Sequence, residues 1–267
     1  MTAQSGLETA TARNGGLSPL AARLLAGIVL LAIWELSVRA WTPAYVARPT
    51  GVAAVFWAVV TSREFLIATA ATLSAVLEGL AIALVAGIAT GVAMGRSLAV
   101  DRLIRYYVFA LFAMPMVAVL PLITLWFGYT GGARLATTVF AAYFSIVLNA
   151  ADGAQSVPAE YLEVSRSFRA PRWRVLVDCV LPASLPYLLA GVRLGAARAL
   201  IGAVLAEFFI SVPGLGTYIL FNSRSFRHNH AIVAVLVLAG CGVGFDALVN
   251  WATRRYLPWY RRDEKPQ

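Results

Sequence analysis

Residues 103–130 read LIRYYVFALFAMPMVAVLPLITLWFGYT, and Arg105 is the only charged residue among them. About 20 consecutive apolar residues are enough for a helix to cross the hydrocarbon layer of a bilayer. A soluble domain would need polar residues to cover its surface, and this stretch offers almost none. The stretch therefore predicts a membrane-spanning segment with lipid as the surrounding solvent.

The composition of the whole chain indicates the same class. Of the 267 residues, 60% are hydrophobic and 13% are charged, whereas soluble proteins have about 45–50% apolar and about 25% charged residues. We therefore predict an all-α polytopic membrane protein with six transmembrane helices. The six apolar stretches lie near 20–40, 77–95, 104–127, 134–150, 185–210 and 230–252.

The basic residues predict the orientation of these spans. If the N-terminus is cytoplasmic, 14 of the 22 Lys and Arg residues fall on the cytoplasmic side, six on the other side and two within the fifth span. The positive-inside rule favours this arrangement, with both termini inside a bacterial inner membrane. We expect cytoplasmic tails over 1–19 and 256–267 and a transmembrane domain over 20–255. Because the charges flank apolar helices, we expect membrane lipid and no nucleic acid as a partner.

The connection before the second predicted span is expected to lie outside. Within it, Pro49-Thr50-Gly51 precedes an apolar run that is typical of an interfacial helix. A weakly helical connection is the alternative.

The longest charged loop between the predicted spans covers 157–184 and begins VPAEYLEVSRSFRAPRWR. Pro158 suits the first turn of a helix, with Glu160 and Glu163 near its positive end. Ala170-Pro171 ends that helix, and a second helix can start at Arg172. Two short helices joined by a turn offer an apolar ridge that fits a partner's groove. An ordinary surface loop at the membrane is the alternative.

This loop resembles the cytoplasmic loop of the permease subunits of binding-protein-dependent ABC importers. The signature of that family is Glu-Ala-Ala, three residues, Gly, nine residues, then a hydrophobic residue, any residue and Leu-Pro. Glu163 takes the first position, Arg169 falls where the family has Gly, and Leu181-Pro182 closes the pattern at the same spacing. Val164 and Ser165 replace the two Ala residues.

Further segments resemble the nitrate, sulfonate and taurine branch of this family. They are AMPMVAVLPL at 113–122, LWFG at 125–128, RALIGAVLAEF at 198–208 and GLG at 214–216. The resemblance covers roughly residues 20–255 and implies the type I importer permease fold. It also implies a homodimer of this chain, a dimer of cytoplasmic ATPase subunits, and a periplasmic or lipid-anchored solute-binding protein.

The resemblance assigns the coupling with the ATPase to the 157–184 loop. The residues expected to carry it are Glu160, Glu163, Arg166, Phe168, Arg169, Ala170, Leu181 and Pro182. The chain has no GxxxxGK[ST] phosphate loop. We therefore expect ATP to bind the partner subunit, and the chain itself to be no enzyme and to hold no cofactor or metal.

The implied substrate is a small anion such as a sulfonate, taurine or nitrate. A pyrimidine vitamin precursor or riboflavin, which similar permeases carry, is the alternative. A secondary transporter is a further alternative, and it would need its own ion site and no docking loop.

Arg169 raises a question of backbone geometry. Gly tolerates a left-handed backbone, whereas Arg adopts one at a cost of about 1 kcal/mol or more. Either the turn is right-handed in this chain, or the docking differs in detail. The Arg169 side chain is expected to pair with acidic residues of the ATPase or to reach lipid head groups.

Five residues of the third and fifth spans are candidates for the translocation path: Met114, Pro115, Pro121, Arg198 and Glu207. Proline interrupts the hydrogen bonding of a helix, and such a break in a span is a suitable place for a gate in the path. An Arg facing the path would serve an anionic substrate. Pairing of these charges with a neighbouring helix is the alternative. Glu78 and Asp246 are expected near span ends, within reach of water.

Overall fold

The computed structural model describes residues 19–41 and 46–256, with side chains over 21–41 and 46–255. The tails expected over 1–19 and 256–267 therefore lie almost entirely outside the described residues. Within the described part the chain forms helices and turns. The helices are α1 (Pro19–Trp41), α2 (Pro49–Val60), α3 (Arg63–Arg96), α4 (Leu98–Ala113), α5 (Met116–Phe127), α6 (Gly131–Gln155), α7 (Ala159–Ser167), α8 (Arg172–Arg174), a π-helical segment (Val175–Val180), α9 (Leu181–Ile210), α10 (Leu215–Arg224) and α11 (His228–Tyr256).

Helices α3 and α6 pack in parallel through glycines on α3. Gly79 lies against Thr138, Gly87 against Ile146, and Gly95 against Ala154. The missing side chains let the two backbones approach closely, as small residues do between membrane helices. The residue numbers of the contacting pairs rise together along α3 and α6, so the two helices run in the same direction. The chain between them must therefore return to the end where α3 began.

The α4–α5 pair makes this return. The sequence predicts one third span near 104–127, and the structure has two helices there with a bend of 104° between them. Met114 and Pro115 form the bend. Five long apolar helices and this bent pair, counted as one span, give six candidate membrane spans among the described residues, the predicted number.

Helix α9 runs antiparallel to α6 and completes the core. Gly153 lies against Tyr187 near one end, and Gly202 lies against Ala141 near the other. We call the end that carries Arg96, Gln155 and α7 the loop face. The opposite end, where α3 begins, is the far face.

The second span is longer than predicted. Helix α3 begins at Arg63 rather than near 77, and the Ser62 hydroxyl caps it by accepting a hydrogen bond from the Phe65 amide. The connection outside the spans is therefore shorter than expected. Glu78 is exposed near the middle of this 34-residue helix, and its expected position near a span end stays a prediction.

The connection before α3 contains the helix that Pro49-Thr50-Gly51 predicts. Glu35 of α1 accepts hydrogen bonds from the Thr50 amide (3.1 Å) and hydroxyl (2.9 Å), so a carboxylate lies at the N-terminus of α2. Arg48 and Gly51 contact Asn229 at the start of α11. These contacts place the end of α1 and the start of α11 together at the far face.

Candidate functional site

The candidate coupling site is the segment after α6 at the loop face. Pro158 precedes α7, and Glu160 lies in its first turn, where a negative charge is favourable. Four large apolar side chains are exposed here, and we call them the coupling ridge: Tyr161 (59%), Val164 (54%), Phe168 (82%) and Trp173 (61%). Tyr161 and Val164 lie on α7 and Phe168 directly follows it, and their spacing of three and four residues is that of one helical face. Such a patch on a surface is typical of a binding site.

Charged side chains surround the coupling ridge. Glu160, Glu163, Arg166 and Arg169 are exposed, and none of them forms an ion pair with another residue that the structure describes. An apolar centre with a polar rim is the usual composition of a protein interface.

Arg169 ends α7 in a left-handed conformation, with φ = 50°. Its amide donates to the Arg166 carbonyl at 2.8 Å, and the Ala170 amide donates to the Ser165 carbonyl at 3.0 Å. This pair of bonds is the Schellman motif, whose left-handed position is usually Gly. The right-handed alternative for this turn is therefore wrong, and the spacing of the family signature places its Gly where the backbone requires positive φ.

The coupling segment is anchored by an apolar cluster at the loop face. Val92 of α3 and Ala154 of α6 are buried there together with Val157 and Val180. Partly buried side chains of the coupling segment and of α9 pack against them: Leu162, Val175, Leu176, Cys179, Leu181 and Ala183. The cluster therefore brings side chains of the coupling segment together with side chains of α3, α6 and α9.

The second half of the segment runs without a break into the fifth span. Residues Arg172–Ile210 form one continuous helix, although the sequence predicts a separate helix from Arg172 and a span from 185. Within it, the Leu181 amide donates to the Leu176 carbonyl, five residues earlier. Pro182 follows and has no amide hydrogen to donate. The π-helical turn therefore lies where proline interrupts the regular bonding.

Two of the candidate pathway residues line one cavity at the bend. Met114 and Arg198 border a space of about 130 Å³ together with Phe112, Met116, Phe140 and Phe144. The Arg198 guanidinium carbon lies 4.9 Å from the centre of the Phe112 ring. Pro115 caps α5 within the bend, whereas Pro121 lies inside α5 and is exposed.

Glu207 lies elsewhere, fully buried near the far face. It accepts hydrogen bonds from the Thr72 hydroxyl at 2.9 Å, the Gly216 amide at 2.8 Å and Arg134 at 3.4 Å. The Thr72 hydroxyl also accepts from the Leu215 amide at 2.8 Å. Glu207 and Thr72 thus satisfy the first amides of α10 from two other helices. Glu207 is therefore paired with groups of neighbouring helices, which is the alternative given above to a place in the translocation path.

Sequence reasoning missed the partners of Glu207, which are Thr72, Arg134 and the turn before α10. The motif Gly214-Leu-Gly216 carried the available signal. A Cβ at Gly214 would lie 2.1 Å from the Glu207 carboxyl, and one at Gly216 would lie 2.8 Å from the Glu207 Cβ. These glycines let the turn close over the buried carboxylate.

The other arginine of the fifth span is paired. Arg193 contacts Asp246 at 3.7 Å and bonds to Asn250, so it joins α9 to α11. Asn250 in turn donates to Asp246 at 2.8 Å. The two arginines of α9 therefore have different surroundings, since Arg193 has a carboxylate and Arg198 has an aromatic ring.

The family of the chain follows from a comparison with protein-family models. The model of the family described as "Binding-protein-dependent transport system inner membrane component" matches residues 79–258. The chain belongs to this family. The matched region includes the bent pair, the coupling segment, α9 and α11, and it starts within α3.

Individual relatives are permeases named for different solutes. The formylaminopyrimidine transport permease of Halalkalibacterium halodurans is 28% identical over 88% of this chain and 94% of its own length. The nitrate import permease of Leptolyngbya laminosa is 27% identical over 88% and 86%. The riboflavin transport permease of Chloroflexus aurantiacus is 31% identical over 87% of each chain. The relatives therefore support the permease class and leave the solute open.

Proposed function

We propose that this chain is the membrane-spanning subunit of an ATP-driven importer that moves a small anion, such as a sulfonate, taurine or nitrate, across the inner membrane. The observation that carries the proposal is the exposed coupling ridge, which is joined to α9 by one continuous helix and to α3 and α6 by an apolar cluster. This arrangement suits a surface that receives force from a soluble partner and passes it to the core.

The loop face is the cytoplasmic side in this proposal. Arg166, Arg169, Arg172 and Arg174 lie in the coupling segment at that face, as the positive-inside rule favours. Successive spans run in opposite directions, so a chain with six spans begins and ends on the same side of the membrane. The first residues of α1 and the last residues of α11 therefore also belong to the loop face. The solute-binding protein then docks at the far face.

Partner subunits supply the energy and the second half of the path. Two copies of this chain enclose one pathway, and each coupling ridge sits in a groove of one ATPase subunit. Nucleotide-driven closure of the ATPase dimer moves the coupling ridges. The attached helices then switch access from one side to the other as packed bodies. ATP binds the ATPase subunits, and the permease holds no nucleotide.

The choice of an anion has two supports. One is the likeness of the chain to a permease named for nitrate. The other is Arg198, a cation midway along the fifth span that lines a cavity beside the bend. A pyrimidine precursor or riboflavin is the second candidate, because permeases named for such solutes are equally similar.

Uptake by a strain that lacks this gene, with and without a plasmid copy, tests the proposal. We expect the copy to restore uptake of at least one of labelled taurine, ethanesulfonate and nitrate, in a manner that requires the ATPase gene. Restored uptake of riboflavin or formylaminopyrimidine alone would reject the anion. Restored uptake of any solute without the ATPase gene would reject the importer and favour a secondary transporter.

A further inference from the structure

Arg198 lies at the middle of its helix and of the core. It is near the centre of α9, between Gly195, which lies against Ile146, and Gly202, which lies against Ala141. Both contacts fall in the middle of α6. A charged side chain at this depth is costly unless it has a partner or faces water, and intramembrane charges often mark the path of a solute.

Arg198 lacks the partner that Arg193 has. Arg193 reaches Asp246 and Asn250, whereas no carboxylate among the described residues lies within ion-pair distance of Arg198. Its guanidinium lies over the face of the Phe112 ring. Cation–π attraction compensates part of the cost of desolvating a guanidinium and leaves its hydrogen-bond donors unused.

The cavity that Arg198 lines has the size and character for a small ligand. Its volume is about 130 Å³, below the about 300–1,000 Å³ of pockets that enclose drug-sized molecules. Its other lining side chains are apolar, among them Met114, Met116 and Phe144. A low-polarity wall strengthens the attraction between a guanidinium and an anion.

We propose that Arg198 binds the transported anion during its passage, with the oxygens of a sulfonate or nitrate group on the planar guanidinium. This proposal rests on the proposed function and adds the intramembrane residue that selects the charge. Two parallel N–H···O bonds are the geometry that Arg offers to planar or tetrahedral oxyanions. Phe112 holds the guanidinium when no anion is present, and the bend at Met114-Pro115 opens the cavity toward the path.

The test uses the complete transporter, with its ATPase subunits and binding protein, reconstituted in proteoliposomes. Uptake of labelled nitrate, taurine, ethanesulfonate and riboflavin is measured for the wild type and for the Arg198→Gln, Arg198→Lys and Arg193→Gln variants. Co-purification of the ATPase subunit shows that each variant is assembled. Arg193→Gln is the matched control, because it removes the same charge from the same helix.

We expect Arg198→Gln to lower uptake of the transported anion at least tenfold. Arg198→Lys should retain a substantial part of it, and Arg193→Gln should lower it less than threefold. Equal uptake by wild type and Arg198→Gln would overturn the role of Arg198 and leave the importer of anions intact. Uptake of riboflavin without any anion would overturn both proposals.

A measurement on the wild-type protein covers the case in which Arg198→Gln does not assemble. Phenylglyoxal modifies accessible arginines, and mass spectrometry locates the modified positions. We expect the transported anion, at saturating concentration, to protect Arg198 at least threefold more than Arg193. Equal modification of Arg198 with and without the anion would overturn the proposal.

Discussion

The amide of Gly216 donates a 2.8 Å hydrogen bond to the carboxylate of Glu207, which has no exposed surface. Gly216 lies in the first turn of α10 and Glu207 in the last turn of α9, so the bond ties the far-face helix to the core. Thr72 and Arg134 extend the tie to α3 and α6. Four separate segments therefore depend on one buried carboxylate.

Substitution of Gly214 should break this tie by steric exclusion. Its φ of 170° is open to any residue, but a Cβ there would lie 2.1 Å from the Glu207 carboxyl. We expect Gly214→Ala to destabilise the protein by about 1–3 kcal/mol, the usual cost of overpacking. Thermal unfolding in detergent micelles measures the change.

Gly240→Ala is the control for this prediction. A Cβ at Gly240 has no heavy atom within 4 Å, and alanine is the better helix former. The control should be neutral or slightly stabilising. An unfolding temperature of Gly214→Ala equal to that of Gly240→Ala would show that the turn before α10 is not packed on Glu207.

The Thr72 hydroxyl should matter more than that of an ordinary helical threonine. Thr72→Val keeps the shape but removes a donor to Glu207 and an acceptor for the Leu215 amide. We expect a loss of about 1–3 kcal/mol, because two buried polar groups lose a partner. Thr138→Val is the comparison, since the Thr138 hydroxyl bonds to the Arg134 carbonyl of its own helix. If both variants unfold at the same temperature, the Glu207 network adds no stability.

Arg169 and Arg166 should respond to glycine in opposite directions. Arg169 has positive φ, so Arg169→Gly removes a backbone strain of about 1 kcal/mol. Arg166 lies within α7, where glycine is unfavourable by about 0.5–1 kcal/mol. Both variants lose one positive charge, so the charge change cancels in the comparison.

Hydrogen–deuterium exchange of the peptide that covers residues 159–170 reads out this difference. We expect exchange to become slower in Arg169→Gly and faster in Arg166→Gly. Faster exchange in both variants would show that the left-handed turn at Arg169 does not form.

The spans were predictable because apolar length is a local property of the sequence. The start of α3 was not, because Arg63, Glu64 and several threonines read as polar. The hydroxyl of Thr69 donates to the Phe65 carbonyl of its own helix, and that of Thr72 donates to Glu207, so these threonines can lie within a continuous helix. The charged residues and threonines at its start therefore led the sequence to predict a shorter helix than the structure has.

The bend at Met114-Pro115 was only half predictable. Proline indicates an interruption, but the 104° angle depends on how α4 and α5 pack against α6 and α9. Likewise, the partners of Glu207 lie 73 and 135 positions away in the chain. Spacing rules describe neighbours along a helix, so they do not connect such residues. The coupling segment was easier to predict from the sequence, because its short helices and its turn are formed by residues that are adjacent in the chain.

The coupling ridge is proposed to hold the ATPase subunit, and co-purification tests this claim most directly. Phe168→Asp places a charge on the most exposed residue of the ridge, and Phe221→Asp places one on an exposed residue of α10. We expect the wild type and Phe221→Asp to retain the tagged ATPase subunit, and Phe168→Asp to retain at least tenfold less. Retention of the ATPase subunit by Phe168→Asp at the wild-type level would contradict the claim, as would no retention by the wild type.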